Sequence, residues 1–370
     1  MARASSARRP RTCWPKATTS RLPPCWRKCS ISSRSAWAAS VGLVVSAALL
    51  WWALRDVHLG DVAQHLGEAR WSWLLASVVV ATLTFPLRAI RWRYLLRLEG
   101  APLPLAPLWH ATAVGFMANN VLPARAGEFA RAFMARRLTG VRFTTAFGSV
   151  AVERVLDGMT LVAMLLVATA AGGLDPDTTV GNVTIGGVTR GAAMLFGAVL
   201  VAAFLVVRWP GPVLRLTGRV LPARLHNLIE GLIAGLDALA APSRLAAALA
   251  WSAVVWSTAA LSFWLAFQAF AIDVPWSAAL MVQGLLAFGV AVPSAPGFAG
   301  VFEAVVKASL LLYGIGETAA VSLAIGYHIS TWFPITALGF WSLFQTGLRM
   351  RDLRETGDGR RETGDGRRET

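Results

Sequence analysis

Charged residues are scarce in this sequence. They make up 15% of its 370 residues, whereas soluble domains carry about 25%. Hydrophobic residues reach 55%, and the mean hydropathy is +0.54. This composition argues against a soluble enzyme. Together with 16 Trp and 33 Gly, it is typical of a polytopic membrane protein.

Cysteine is also scarce, and the residue patterns of common catalytic sites are missing. The three cysteines lie at positions 13, 25 and 29, with no histidine near them. This pattern predicts neither a disulfide framework nor a zinc site. No nucleophile–base set, metal-ligand spacing or phosphate loop is present. We therefore expect no metal, no cofactor and no catalytic residue, and we do not expect an enzyme.

Acidic residues are outnumbered, with 20 Asp and Glu against 35 Lys and Arg. The basic residues lie in short segments beside apolar runs. There they orient membrane spans and attract anionic lipid heads. We therefore expect membrane lipids as partners and no nucleic acid. The charge distribution also predicts that both termini are cytoplasmic.

Three regions differ in composition. Residues 1–35 contain nine Arg and Lys and no acidic residue, which indicates a basic disordered tail or a start assigned too far upstream. Residues 36–347 form the predicted membrane domain. Residues 348–370 repeat the sequence Arg-Glu-Thr-Gly-Asp-Gly-Arg without an apolar face, so we expect a low-complexity tail.

Within the membrane domain, six apolar segments are long enough to cross a bilayer. They cover residues 36–54, 71–87, 143–171, 190–207, 245–271 and 318–346. Residues 55–70 are predicted to form a loop. The Arg-rich run from Leu87 to Leu98 predicts either an interfacial helix or a topology signal. Residues 208–244 place Leu and Ile on one face and predict a cytoplasmic amphipathic linker.

Two further apolar segments are broken by Pro and Gly. The predicted break residues are Pro123, Gly127, Pro293, Pro296, Gly297 and Gly300. The flanking charges favour re-entrant hairpins that enter from opposite sides, the first from the cytoplasm. The predicted fold class is therefore an all-α polytopic membrane protein with about six full spans and two re-entrant broken helices. Its half-repeats, about 36–171 and 190–346, would be related by inverted topology. If either hairpin were a full span, this symmetry would fail.

Charged and polar residues near the breaks are the candidate site, because ionisable groups in hydrocarbon are costly and are usually functional. Arg125, just before a helix, is placed to fork onto a phosphate. The predicted substrate contacts are Asn119, Asn120, Arg125, Glu128, Arg131, Glu153, Arg154, Asp157, Glu303 and Lys307.

Each charged group also has a purely structural interpretation. Glu128 and Arg131 would pair with each other, and Glu303 and Lys307, four residues apart, would do the same. The triplet at positions 153, 154 and 157 would form an internal ion network. A lone His328 in a span is more often an interhelical contact than a ligand.

Three ordered blocks carry a family resemblance: residues 119–131, 153–157 and 296–303. They resemble the signature blocks of the lysylphosphatidylglycerol synthase transmembrane-region family, which comprises bacterial and archaeal flippase-like membrane proteins. The resemblance covers about residues 36–347. It implies a membrane part that moves aminoacylated phosphatidylglycerol to the outer leaflet. A separate cytosolic domain makes that lipid. Here the chain ends soon after the last span, so we expect no synthase activity.

The expected function is that of a flippase for a phospholipid or a polyprenyl-linked lipid in the cell inner (cytoplasmic) membrane. A membrane enzyme or accessory subunit in lipid-linked glycosyl or aminoacyl transfer is the first alternative, and an envelope scaffold is the second. A homo-oligomer or a lipid-synthesising enzyme would be the protein partner.

Overall fold

A computed structural model of the protein describes residues 33–98, 100–122, 126–171, 177, 179–180, 183–222, 225–226, 229–230, 233, 242–292 and 294–347. The predicted tails at 1–32 and 348–370 lie outside these residues. So do Pro123, Arg125 and Pro293, three of the predicted site and break positions.

The described chain is mostly helical. Its first half contains α1 (Ser33–Leu54), α2 (Leu59–Glu68), α3 (Trp71–Leu95), α4 (Leu105–Val121), α5 (Gly127–Thr139) and α6 (Phe143–Ala171). Its second half contains α7 (Ile185–Arg208), α8 (Pro210–Val220), α9 (Pro242–Ala269), α10 (Trp276–Gly289), a 3-10 turn (Pro296–Phe298), α11 (Val301–Leu311) and α12 (Glu317–Gln345).

Among the described residues, strands form two short antiparallel pairs. β1 (Arg97–Leu98) pairs with β2 (Ala101–Pro102) between α3 and α4. β3 (Thr179–Val180) pairs with β4 (Val183–Thr184) between α6 and α7. Each pair reverses the chain between two long helices, so the fold belongs to the all-α class.

Helices cover all six predicted spans, but fewer of them meet a length and composition test for crossing a membrane. Within the described residues, α3 and residues 243–269 of α9 meet it. The pair α1 and α2 adds a third span if the two helices, bent by 79°, are one. The helix α6 has 29 residues but carries the charged triplet.

One prediction about a connecting segment is wrong, and a second holds only in part. The predicted loop at 55–70 contains α2, because Val62 and its apolar neighbours pack against Val321 of α12. The predicted amphipathic helix at 208–244 is interrupted: α8 ends at Val220, residues 221–222 are non-helical, and the described residues at 225–226, 229–230 and 233 are helical again. Pro222 lacks the backbone donor that a continuous helix would need.

The two halves pack through matching pairs of helices. α3 lies along α9, and the two helices exchange hydrogen bonds between Ser77 and Ser262, with Oγ-to-carbonyl distances of 2.7 and 2.8 Å. In the same way α4 packs against α12, and α6 packs against α10. The first arm of each broken segment therefore contacts the last helix of the other half.

Each half also contains its own hydrophobic core. In the first half Trp92, Met134 and Leu156 lie in a cluster built mainly from α3, α4, α5 and α6. In the second half Phe263 and Val306 lie in a cluster built from α9, α10, α11 and α12. Large apolar side chains also face outward from many helices, which is the surface that a lipid bilayer would cover.

Candidate functional site

The first break separates α4 from α5. The amide N–H of Gly127, the first residue of α5, donates to the side-chain oxygen of Asn119 at 2.8 Å. A Cβ on Gly127 would lie 2.2 Å from the carbonyl oxygen of Gly115. Glycine is therefore required at 127 by a close helix approach, and Asn119 satisfies a backbone donor at the helix start.

The second break lies between α10 and α11, around the 3-10 turn. Gly297 has φ 70° and Gly300 has φ 85°, which is a conformation that glycine adopts without steric cost. A Cβ on Gly300 would lie 2.2 Å from the carbonyl oxygen of Ser46 in α1. The Ser46 hydroxyl accepts a hydrogen bond from the backbone N–H of Ala295 at 2.7 Å. The helix α1 thus holds this break closely.

The two breaks meet. The end of α4 packs against the 3-10 turn, and the carbonyl oxygen of Asn120 lies 3.4 Å from the position of a Cβ on Gly297. The side-chain amide of Asn120 donates to the hydroxyl of Thr336 in α12 at 2.9 Å. The two interrupted segments, one from each half, are therefore neighbours.

A cluster of ion pairs lies behind the first break; we call it the ionic cluster, and it comprises Arg88, Arg91, Arg131, Glu153, Arg154 and Asp157. Arg131 of α5 binds Glu153 of α6 through both terminal nitrogens, at 2.6 and 2.9 Å. Arg91 of α3 also reaches Glu153, at 2.8 Å, and pairs with Asp157. The ionic cluster therefore joins three helices in the protein interior.

Arg154 is the member of the ionic cluster that reaches the surface. Its Nη2 atom lies 2.9 Å from Glu153 and 3.3 Å from Asp157. Its side chain is 41% exposed, whereas those of Glu153 and Arg91 are fully buried. Glu128, in the first turn of α5, is half-buried and close enough to Arg154 for their charges to interact. The cluster therefore opens to its surroundings at Arg154.

Aromatic and hydroxyl groups complete the shell of the ionic cluster. The guanidinium of Arg131 lies 3.9 Å from the ring centroid of Trp92, a favourable cation–π distance. From α9, Trp256 donates its indole N–H to Asp157 at 2.7 Å, and the Ser252 hydroxyl accepts from Arg91 at 2.9 Å. The second half of the chain therefore contributes to a site that the first half carries.

Two members of this cluster are absent from the sequence-based site. The interfacial interpretation of Leu87–Leu98 is wrong for Arg88 and Arg91, which are 6% and 0% exposed and lie inside the continuous helix α3. Arg93 in the same run is exposed. The three-residue spacing of Arg88 and Arg91, which places both on one helix face, is the signal that could have found them.

Glu303, beside the second break, does not pair with Lys307. Its carboxylate accepts the backbone N–H of Gly300 at 2.6 Å and contacts Nδ1 of His328 at 2.6 Å. Nε2 of His328 lies 2.9 Å from the carbonyl oxygen of Gly297. A carbonyl oxygen only accepts, so Nε2 is the donor in this contact. His328 is thus an interhelical contact that fastens the break to α12.

Lys307 has its own internal partners. Its ammonium donates to Glu317 at 2.6 Å and to the carbonyl oxygen of Ala53 at 3.1 Å. It also lies 5.1 Å from the ring of Trp52. The contacts of Lys307 and Glu303 are satisfied within the protein and favour the structural interpretation of both residues.

The predicted site residues thus form three groups. Asn119 and Asn120 lie where the breaks meet. Arg131, Glu153, Arg154 and Asp157 share the ionic cluster, so the predicted pairing of Glu128 with Arg131 alone is wrong. Glu303 and Lys307 bind partners within the second half and α1.

Paired broken helices in contact, apolar outward faces and a buried ionic cluster define an integral helical membrane protein with an internal polar site. Residues 39–339 match the family described as the lysylphosphatidylglycerol synthase TM region. The chain belongs to this family.

Two curated relatives are similar to this chain over different extents. Glycosyltransferase AglD of Haloferax volcanii is 37% identical over 124 residues, which are 32% of this chain and 20% of the relative. A UPF0104 membrane protein of Methanothermobacter thermautotrophicus is 25% identical over 311 residues, which are 80% of this chain and 89% of the relative. The chain therefore matches one fifth of the glycosyltransferase but most of the second membrane protein.

Proposed function

We propose that this protein moves a lipid with a polar head, a phospholipid or a polyprenyl-linked lipid, between the leaflets of the cell inner membrane. The observation that carries the proposal is the contact between the two breaks, at Asn120 and Gly297. Interrupted helices at corresponding places in two halves mark the binding site of many transporters. A polar head crossing there would meet backbone and side-chain polar groups instead of hydrocarbon.

The proposed architecture is an inverted-topology repeat of six spans and two re-entrant hairpins, with both termini in the cytoplasm. Three pairs of contacting helices support it: α3 with α9, α4 with α12 and α6 with α10. The helices α3 and α9 occupy equivalent places in the two halves, and the pair α4–α12 is equivalent to the pair α10–α6. A two-fold axis in the membrane plane requires this arrangement. Rocking of one half against the other would then expose the site alternately to the two leaflets.

The ionic cluster supports a charged head group. Four Arg and two acidic residues lie within a helical membrane domain, where such groups usually mark a substrate route. Its most exposed member, Arg154, would be the first contact for a head group that enters from the surface.

A second candidate function is a membrane subunit or enzyme in lipid-linked glycosyl transfer. The similarity to part of a protein named as a glycosyltransferase favours it. In that case the same polar site would hold a lipid-linked sugar while a reaction occurs, and no lipid would change leaflet.

Leaflet-resolved transport in proteoliposomes tests the proposal. The full chain is reconstituted with fluorescent phosphatidylglycerol or a short polyprenyl phosphate, and the outer-leaflet fraction is followed by a membrane-impermeant quencher. We expect quenching beyond the half that protein-free liposomes show. Release of a sugar from a lipid-linked donor without lipid movement would support the glycosyl-transfer alternative and overturn the flippase proposal.

A further inference from the structure

Arg88 lacks the partners that every other arginine of the ionic cluster has. It is 6% exposed, and its guanidinium carbon lies 5.2 Å from the ring centroid of Phe116 and 4.9 Å from that of Trp256. Its closest carboxylate oxygen, on Asp157, is 3.9 Å from Nη1. In the part of the chain that the structure describes, its Nη1 is fully enclosed and has no hydrogen-bond acceptor.

The two carboxylates of the cluster are already occupied by other donors. Glu153 accepts from Arg131, Arg91 and Arg154. Asp157 accepts from Arg91 and from the indole of Trp256, and Arg154 lies beside it. The Oδ2 atom of Asp157, which lies 3.9 Å from Nη1 of Arg88, is shared with Arg91 at 3.5 Å and with Arg154 at 3.3 Å.

The cluster is also unbalanced in charge. Four guanidinium groups face two carboxylates, and an arginine side chain remains protonated in proteins. Glu128 near Arg154 reduces this excess but does not remove it. A buried positive charge without an anion is unfavourable. The excess positive charge beside Arg88 favours the binding of a further anion.

We infer that Arg88 binds an oxyanion, and that its ligand is a phosphate ester. A guanidinium presents its N–H groups in a planar fork that matches two phosphate oxygens. The rings of Phe116 and Trp256 make cation–π contacts with this guanidinium. Arg154, at the exposed edge, gives the phosphate a first cationic contact before it reaches Arg88.

The choice of a lipid phosphate over free phosphate rests on the proposed function. The outward apolar faces of the helices would place phosphodiester lipids beside the cluster. Inorganic phosphate offers the same oxygen atoms without acyl chains. The inference therefore fixes the phosphate group as the ligand, and the experiment separates its two sources.

The test is binding by the purified full chain in a neutral detergent. The probes are dihexanoyl phosphatidylglycerol, dihexanoyl glycerol, which lacks the phosphate, and sodium phosphate. For the natural sequence we expect saturable binding of the phospholipid and none of dihexanoyl glycerol. Competition by sodium phosphate at similar concentration would identify free phosphate as a ligand, and its failure to compete would identify the lipid.

Variants of two arginines on α3 separate binding from folding. Arg88→Gln should weaken phospholipid binding about tenfold or more, because charged hydrogen bonds are lost, and Arg88→Lys should lie between. Arg93→Gln, an exposed arginine of the same helix, should bind like the natural sequence. Without ligand, Arg88→Gln should melt at the same temperature or higher, since it removes an unbalanced buried charge.

Two outcomes would overturn the inference. One is undiminished binding by Arg88→Gln combined with a lower melting temperature, which would make Arg88 a structural cation. The other is a natural sequence that binds neither phosphate probe. Lipid movement in proteoliposomes without phosphate binding would overturn only the anion site, whereas binding without movement would overturn only the proposed function.

Discussion

At the scale of single residues, the ionic cluster depends on its two acidic members. Glu153 alone neutralises contacts with three arginines, Arg91, Arg131 and Arg154. These arginines come from α3, α5 and α6, so one carboxylate joins three helices. Removing one partner of a buried ion pair leaves uncompensated charge, which is far more costly than losing a surface pair.

Glu153→Gln should therefore destabilise the protein strongly. Gln keeps the shape but leaves three guanidinium groups facing a neutral amide, and we expect a loss of about 3–5 kcal/mol in unfolding free energy. Unfolding of the purified protein in detergent, followed by circular dichroism against temperature and denaturant, measures the change. Asp56→Asn, which removes an exposed pair with Arg55, is the control and should cost at most about 1 kcal/mol. Equal losses in the two variants would contradict a central role for Glu153.

The acidic residues of this cluster could be predicted from the sequence, but two of its four arginines could not. Glu153 and Asp157 lie within a long apolar segment, where a charge must be paired or functional. Arg88 and Arg91 lie at the end of an apolar run among other arginines, where a topology signal looks the same. Which of them turns inward depends on α9, which supplies Ser252 and Trp256 from more than 150 residues away.

At the scale of elements, the second break is fastened by side chains and not by helix geometry. Gly297 and Gly300 allow the chain to turn. His328 then bonds to Gly297 and to Glu303, and its ring stacks 4.1 Å from Phe302. The imidazole of α12 therefore adds two contacts to those that α1 makes with this break.

His328→Ala should loosen this break. Glu303 would keep only the Gly300 amide, and each lost buried hydrogen bond costs about 1–3 kcal/mol, so we expect opening to increase about tenfold or more. The measurement is the reaction rate of a single cysteine, Ser294→Cys, with a water-soluble methanethiosulfonate, after Cys13, Cys25 and Cys29 are changed to Ser.

A second histidine provides the control for that experiment. His58→Ala removes an exposed imidazole that precedes α2, and the rate at position 294 should not change. An unchanged rate in His328→Ala as well would mean that the glycines and α1 hold the break without the imidazole.

Elements with a clear apolar pattern in their own sequence were predictable. Elements that fold against a part of the chain distant in sequence were not. The segment 143–171 was predicted with the bounds that α6 has, because its apolar run is long and ends in a Gly-rich stretch. The helix α2 was missed, because its short polar sequence becomes helical against α12. At 208–244 the apolar spacing favoured a helix that continues through Leu221. The helix is interrupted there, because Pro222 cannot donate a backbone hydrogen bond.

At the scale of the whole molecule, the lengths of the helices limit how the broken segments can sit. The helix α5 has 13 residues and α11 has 11, which correspond to about 20 and 17 Å. A hydrocarbon core of about 30 Å needs about 20 residues. Neither second arm can cross alone, so each broken segment is either one bent crossing or a hairpin that returns to its starting side.

The hairpin architecture makes a definite prediction about four exposed positions, placed in pairs before and after each broken segment. We expect cysteines at Leu98 and Arg137 to react with an impermeant maleimide only from the cytoplasmic side, and cysteines at Asp273 and Gly316 only from the outer side. The native cysteines are first replaced by Ser, and right-side-out and inverted membrane vesicles are labelled in parallel, with permeabilised vesicles as the control for equal reactivity. If the members of either pair reacted from opposite sides, that segment would be a bent crossing. If all four reacted from one side, the two halves could not be inverted copies, since an in-plane two-fold axis places equivalent loops on opposite faces.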